Sequence, residues 1–175
     1  MNRKGLIQVY TGDGKGKTTA ALGLALRAAG QGLNVLIVQF MKRNKNIGEF
    51  KGLERSGLPI TLQQFGRRVF FRTRTCEAMD IYKAHQGLDA FKSAMFSQAY
   101  DLIVLDEINM AIHFGLLEFA EVSEAIEQKP PEIHLVLTGR KATQELIEMA
   151  DLVTEMREIK HHYRQGVPAQ RGIEF

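Results

Sequence analysis

Apolar residues follow two rhythms along the chain. Short, almost unbroken runs of strand length occupy residues 6–10, 34–40, 102–106 and 133–138. Such runs predict strands covered on both faces, because a strand with one wet face alternates apolar and polar residues. Residues 60–65 and 152–156 predict two weaker strands. Between the runs, apolar residues return every three or four positions. This predicts helices over residues 18–29, 76–98, 109–114, 117–128 and 142–149. In the second of these, Ala78, Ile81, Ala84, Leu88 and Phe91 define the predicted buried stripe. Pro130 and Pro131 stop the fourth, since proline cannot continue a helix. From Lys160 onward the pattern dissolves into glycine, proline and charge.

Strand and helix in alternation predict an α/β fold of three layers, α/β/α, with a mostly parallel sheet. In such sheets ligands gather at the carboxyl ends of the strands. Chemistry is therefore expected just after Tyr10, Phe40, Phe65, Asp106 and Thr138, and the unusual residues of the sequence fall there.

The first strand runs into Thr11-Gly12-Asp13-Gly14-Lys15-Gly16-Lys17-Thr18-Thr19. The general phosphate-loop pattern is G-x-x-x-x-G-K-[ST], which Gly16, Lys17 and Thr18 match and Thr11 does not. The glycines let consecutive N–H groups turn toward one anion, and the following helix adds its positive end. Lys17 supplies a point charge for phosphate oxygens, and the Thr18 hydroxyl is placed to ligate magnesium. A plain glycine turn into a helix would not require Lys-Thr in this register. The run ending at Leu105 delivers two acids, Asp106 and Glu107, to a strand tip. That is the second half of a P-loop NTPase site, a carboxylate carried to magnesium, and either acid fits the role. The fold expected is thus that of a RecA-like P-loop NTPase, with residues 1–175 as a single nucleotide-binding catalytic domain.

Other strand tips carry basic residues. Lys42 is placed to reach phosphate or to stand in the solvated run Lys42-Arg43-Asn44-Lys45; Arg140 is placed to clamp a phosphate or a substrate amide, or to face solvent. Phe65, Arg67, Arg68, Phe70, Phe71, Arg72 and Arg74 interleave aromatic and basic side chains. Such a segment can stack the bases of single-stranded nucleic acid, cover a broad flat ligand, or simply pack as an exposed loop. His161 and His162 are adjacent, which is poor spacing for one metal, and His85, His113 and His134 stand alone.

Composition narrows the setting. The 175 residues are 45% hydrophobic and 25% charged with a net charge of +3, the balance of a globular, mildly basic protein. No apolar run approaches the ~20 residues of a membrane-spanning helix. The first residues carry no secretory apolar region, and the one cysteine, Cys76, has no internal partner for a disulfide. A cytoplasmic protein without membrane or nucleic-acid partners is expected.

The assembled motifs resemble one family, the P-loop corrinoid adenosyltransferases, over nearly the whole chain. The resemblance is carried by residues 9–21, with Thr at the first loop position as this family has it, and by Arg27-Ala28-Ala29-Gly30 and Val38-Gln39-Phe40-Met41-Lys42. Val104-Leu105-Asp106-Glu107, Leu137-Thr138-Gly139-Arg140, residues 150–156 and Lys160-His161 continue it. The ending Gly166-Val167-Pro168-Ala169-Gln170-Arg171-Gly172-Ile173-Glu174-Phe175 is its most specific piece. The resemblance implies transfer of the 5′-deoxyadenosyl group of ATP to a reduced cob(I) corrinoid, with triphosphate leaving whole and no general base needed. It implies ATP bound by residues 11–19 and Arg27, catalysis by Lys17 and Glu107, magnesium on Thr18 with Asp106 or Glu107, and corrinoid on Phe70, Phe71 and Arg140. It also implies a reductant system that supplies cob(I), and a homodimer. The alternative from the residues alone is a RecA-like ATPase using the Arg/Phe segment for nucleic acid. Three features depart from the family pattern. Asp13 stands where Asn is frequent, the first strand starts almost at once, and the chain lacks tryptophan.

Overall fold

The uninterrupted apolar runs become the middle of a sheet. β1 (Ile7–Thr11), β2 (Val35–Phe40), β3 (Ile60–Phe65), β4 (Leu102–Asp106), β5 (His134–Thr138) and β6 (Leu152–Glu155) form one six-stranded sheet in the order β3-β2-β4-β5-β1-β6. Every pairing is parallel. The structure is a computed structural model and describes residues 4–67 and 76–174. β2 and β4 are buried along their whole length, while β6, at the edge, is exposed at every residue. This is the difference between strong and weak strand signals in the sequence.

The helices are α1 (Lys17–Gly30), α2 (Gly48–Ser56), α3 (Ala78–Phe96), α4 (Ile108–His113), α5 (Phe119–Glu127) and α6 (Gln144–Met149), followed by a 3-10 turn, His162–Gln165. Successive strand residues point to opposite faces, and the two cores divide accordingly. On one face Ala21, Ala25 and Ala29 of α1 lie on Val35, Ile37, Leu102 and Val104. On the other, Leu36, Val38, Phe40, Ile103 and Leu105 meet Ala84, Leu88 and Phe91 of α3 together with Val122 and Ile126 of α5. The result is the expected three-layer α/β arrangement. It sets the phosphate loop after β1 and the acidic pair after β4 on either side of the β5 tip.

Two details of the pattern change. Residues 48–56 form a helix that periodicity did not single out, because none of its residues is buried. In α3 the stripe shifts at the first turn: Ile81 is 39% exposed and Asp80 is buried instead. The cause is electrostatic. Arg67 donates to both Asp80 oxygens, at 2.7 and 2.8 Å, and a paired carboxylate can be buried where a lone one cannot.

Candidate active site

The site begins with the turn after β1. Gly12 has φ 92, and a Cβ there would lie 2.5 Å from the Met156 carbonyl oxygen, so only glycine fits this close approach to the chain after β6. The Gly14 N–H donates to the Met156 carbonyl at 2.6 Å, and the Met156 N–H to the Thr11 carbonyl at 2.8 Å. The loop is thus stapled to the neighbouring strand end. Lys17 opens α1 and is buried; its ammonium donates to the Gly12 and Gly14 carbonyls at 2.6 and 2.7 Å. Burial lowers its pKa, and the Arg140 charge adds to this, against the pull of Glu107 and Asp13.

Asp106, 1% exposed, is the hub of the β4 tip. Its Oδ1 accepts from the Thr18 hydroxyl at 2.8 Å and the Thr138 hydroxyl at 2.7 Å. Its Oδ2 accepts from Gln39 Nε2 at 3.0 Å and Lys42 Nζ at 2.7 Å. Burial alone would raise its pKa, but the Lys42 charge and these hydrogen bonds hold it below the usual carboxylate value. Glu107 follows in the left-handed region at φ 65, its N–H donating to Thr138 Oγ1 at 3.0 Å. Burial raises the Glu107 pKa, Lys42 opposes this, and the Asp106 charge adds to it. Met41, just after β2, also has positive φ, 59°. Strained non-glycine backbone at adjoining strand tips is a mark of a working site.

Thr18, Asp106 and Glu107 offer hard oxygen donors at one point, which fits a magnesium ion that keeps its other ligands from phosphate and water. Among the described residues no group of three or more His, Cys, Asp or Glu forms a protein-only metal cage. The structure therefore brings together Lys17, Thr18, Asp106 and Glu107, and adds Lys42, Gln39 and Thr138 to them. Lys42 is not a solvated loop lysine, since its ammonium is paired with Asp106. Gln39 and Thr138 were missed because an apolar strand hides its one polar residue; their place at the final turn of a buried strand is the signal. Arg140 faces Asp13 at 3.9 Å, on the phosphate-loop side of the sheet. The tip of β3, where the Arg/Phe segment starts, lies three strands from β5, about 14 Å at ordinary strand spacing. Arg27 is not brought to the loop. It is exposed in the last turn of α1, ten residues and about 15 Å of helix beyond Lys17. Phe70 and Phe71 lie outside the described residues.

The family-like ending also reaches the loop. Glu174 pairs with Lys15 at 2.8 Å, accepts from the Gln170 N–H at 2.6 Å and lies 3.6 Å from His162 Nε2. Lys15 donates as well to the Ile173 carbonyl at 3.1 Å. Lys15 thus faces the tail rather than the pocket of the loop.

A nucleotide loop and an acidic strand tip joined by a threonine place this protein in the P-loop class of nucleotide-binding proteins. Within that class the chain belongs to the family described as ATP:corrinoid adenosyltransferase BtuR/CobO/CobP, whose profile matches residues 3–175. It is 39% identical to a corrinoid adenosyltransferase of Sinorhizobium sp, over 99% of this chain and 82% of that protein. A corrinoid adenosyltransferase of Pseudomonas aeruginosa is 36% identical over 99% of this chain and 85% of its own. One of Escherichia coli K12 is 34% identical over all of this chain and 88% of its own. The chain is thus an adenosyltransferase by family. No helix among the described residues is long and apolar enough to cross a membrane.

Proposed function

We propose that the protein transfers the 5′-deoxyadenosyl group of ATP to the cobalt of a cob(I) corrinoid, either cobyrinic acid a,c-diamide or cobalamin, in adenosylcobalamin biosynthesis or salvage. What carries this reading is the family match over residues 3–175, with the 2.8 Å hydrogen bond from Thr18 to Asp106 joining the phosphate loop to the acidic tip. The cobalt electron pair attacks C5′; the cobalt–carbon bond forms as the C5′–oxygen bond breaks, and that bond's electrons leave on triphosphate. Cobalt is formally oxidised from Co(I) to Co(III), so a separate reductant must supply cob(I) beforehand. A cytoplasmic setting suits that reduced state.

The protein's own residues do little proton chemistry in this scheme, because no proton leaves cobalt. Lys17 and the loop N–H groups hold the charge that develops on the leaving triphosphate. Thr18, Asp106 and Glu107 hold magnesium, which when bound neutralises polyphosphate charge. The width of the sheet tip, from Arg140 to the β3 end, suits a ligand as broad as a corrinoid. Position and water exclusion are the remaining contributions.

The test is product identity. ATP, magnesium and a chemically reduced corrinoid should give triphosphate in a 1:1 ratio with a photolabile cobalt–carbon bond. ADP and orthophosphate formed without corrinoid would sink the reading.

A further inference from the structure

Lys42 has no role in the scheme above, yet its ammonium sits at the centre of the acidic tip. It lies 2.7 Å from Asp106 Oδ2, 3.4 Å from Thr18 Oγ1 and 3.7 Å from Glu107 Oε1. These are the three groups assigned to magnesium. The backbone aims it there. Met41 takes its left-handed turn while its N–H donates to the Phe65 carbonyl at 2.8 Å. A Cβ on Gly66 would come within 2.4 Å of the Met41 carbonyl carbon and 2.5 Å of the Lys42 nitrogen, so the β3 tip is pressed against this turn.

We propose that Lys42 is a built-in counter-ion that competes with the divalent cation for Asp106, yields the carboxylate when the cation arrives with ATP, and then pairs with the polyphosphate. The proposal rests on the Thr18–Asp106–Glu107 tip being the metal site. A buried carboxylate needs a compensating charge, and Lys42 supplies it. An ammonium and a divalent cation on the same oxygen repel each other at a few ångströms, so one must leave. Lys42 is able to leave. Its side chain is 30% exposed on a long flexible stem, whereas Asp106 is fixed by Thr138, Thr18 and Gln39. Its new partner is close, since Thr18 adjoins Lys17 in the phosphate loop. Bare protein then binds metal weakly, because only the fraction with Lys42 displaced is competent. Metal and nucleotide bind as a pair.

The test uses Mn²⁺ as the probe and electron paramagnetic resonance as the readout, on the full chain without nucleotide. Lys42→Met and Lys42→Gln should each bind Mn²⁺ at least tenfold more tightly than wild type, while Lys42→Arg should not. In the presence of Mg²⁺, inorganic triphosphate should bind the two neutral variants several-fold more weakly. Thermal melting gives an independent measure: Mn²⁺ should raise the melting temperature of Lys42→Gln more than that of wild type. Mn²⁺ affinity equal to or weaker than wild type in both neutral variants overturns the proposal. Asp106→Asn separates the two levels. If Asp106→Asn leaves Mn²⁺ binding with ATP unchanged, the metal site itself is misassigned. If it abolishes that binding while the Lys42 variants have no effect, only the counter-ion role fails.

Discussion

Four donors converge on the Asp106 carboxylate, and one of them is charged. This makes the residue's contribution to stability dependent on acid. A carboxylate whose folded pKa is depressed stabilises the fold above its unfolded value, and that stability is lost as pH falls through the folded value. The ordinary value is 3.8, so the loss belongs to the range below it. Asp106→Asn keeps the shape but leaves Lys42 facing a neutral amide, which costs about 3 kcal/mol at neutral pH by analogy with broken buried pairs. Urea unfolding at neutral pH and near pH 3 should show the gap between variant and wild type closing in acid. A gap that stays constant would mean that Asp106 is not the charged partner of Lys42. Lys17 behaves differently, because its present partners are loop carbonyls that the triphosphate would replace. Lys17→Ala should lower kcat/KM for ATP by about 3 kcal/mol, roughly a hundredfold, with little change in melting temperature. Near-normal turnover at low ATP would remove Lys17 from the phosphate contact.

At the scale of elements, the exit of β3 and the entry of α3 are tied together. Arg67, just past β3, holds Asp80 through two hydrogen bonds and Glu77 through a third at 2.7 Å, while Glu77 and Asp80 form the capping box of α3. One arginine therefore ties the residue just past β3 to the first turn of α3. Arg67→Ala should leave ATP binding nearly intact, since the phosphate loop lies across the sheet, but should reduce kcat/KM for corrinoid by up to roughly a hundredfold through misplacement. Equal losses for both substrates would mean that the segment shapes the nucleotide pocket. These elements also show what periodicity conveys. β2 and β4 were legible because burial on both faces leaves an apolar run. α2 was not, because a helix with no buried residue leaves no stripe. Ile81 was misplaced because apolar spacing cannot register a salt bridge, made by a residue thirteen positions away, that turns Asp80 inward.

Across the whole molecule, the loop and the acidic pair were legible as motifs, because phosphate and metal chemistry constrain consecutive residues. Gln39 and Lys42 come from the β2 tip and Thr138 from the β5 tip, and only the strand order, with β4 between them, brings them onto Asp106. Long-range pairing also bears on the rival reading as a nucleic-acid-dependent ATPase. The chain holds 23 Lys and Arg against 20 Asp and Glu, an excess of three. Many basic groups near the site are already paired: Lys42 with Asp106, Arg67 with Asp80 and Glu77, Lys15 with Glu174, and Arg164 with Glu158. Phosphates of a nucleic acid would have to displace carboxylates to reach these described groups, which lowers the counterion release they could contribute. Fluorescence anisotropy with a labelled single-stranded oligonucleotide, at low and at physiological salt, should show weak binding at low salt and none at physiological salt. The same protein should bind a corrinoid with almost no salt dependence, because an amide-fringed ring releases few ions. Tight oligonucleotide binding that falls log-linearly with salt and stimulates ATP hydrolysis would favour the motor reading. Corrinoid binding that survives high salt while oligonucleotide binding does not appear would leave the sheet tip to the adenosyl transfer.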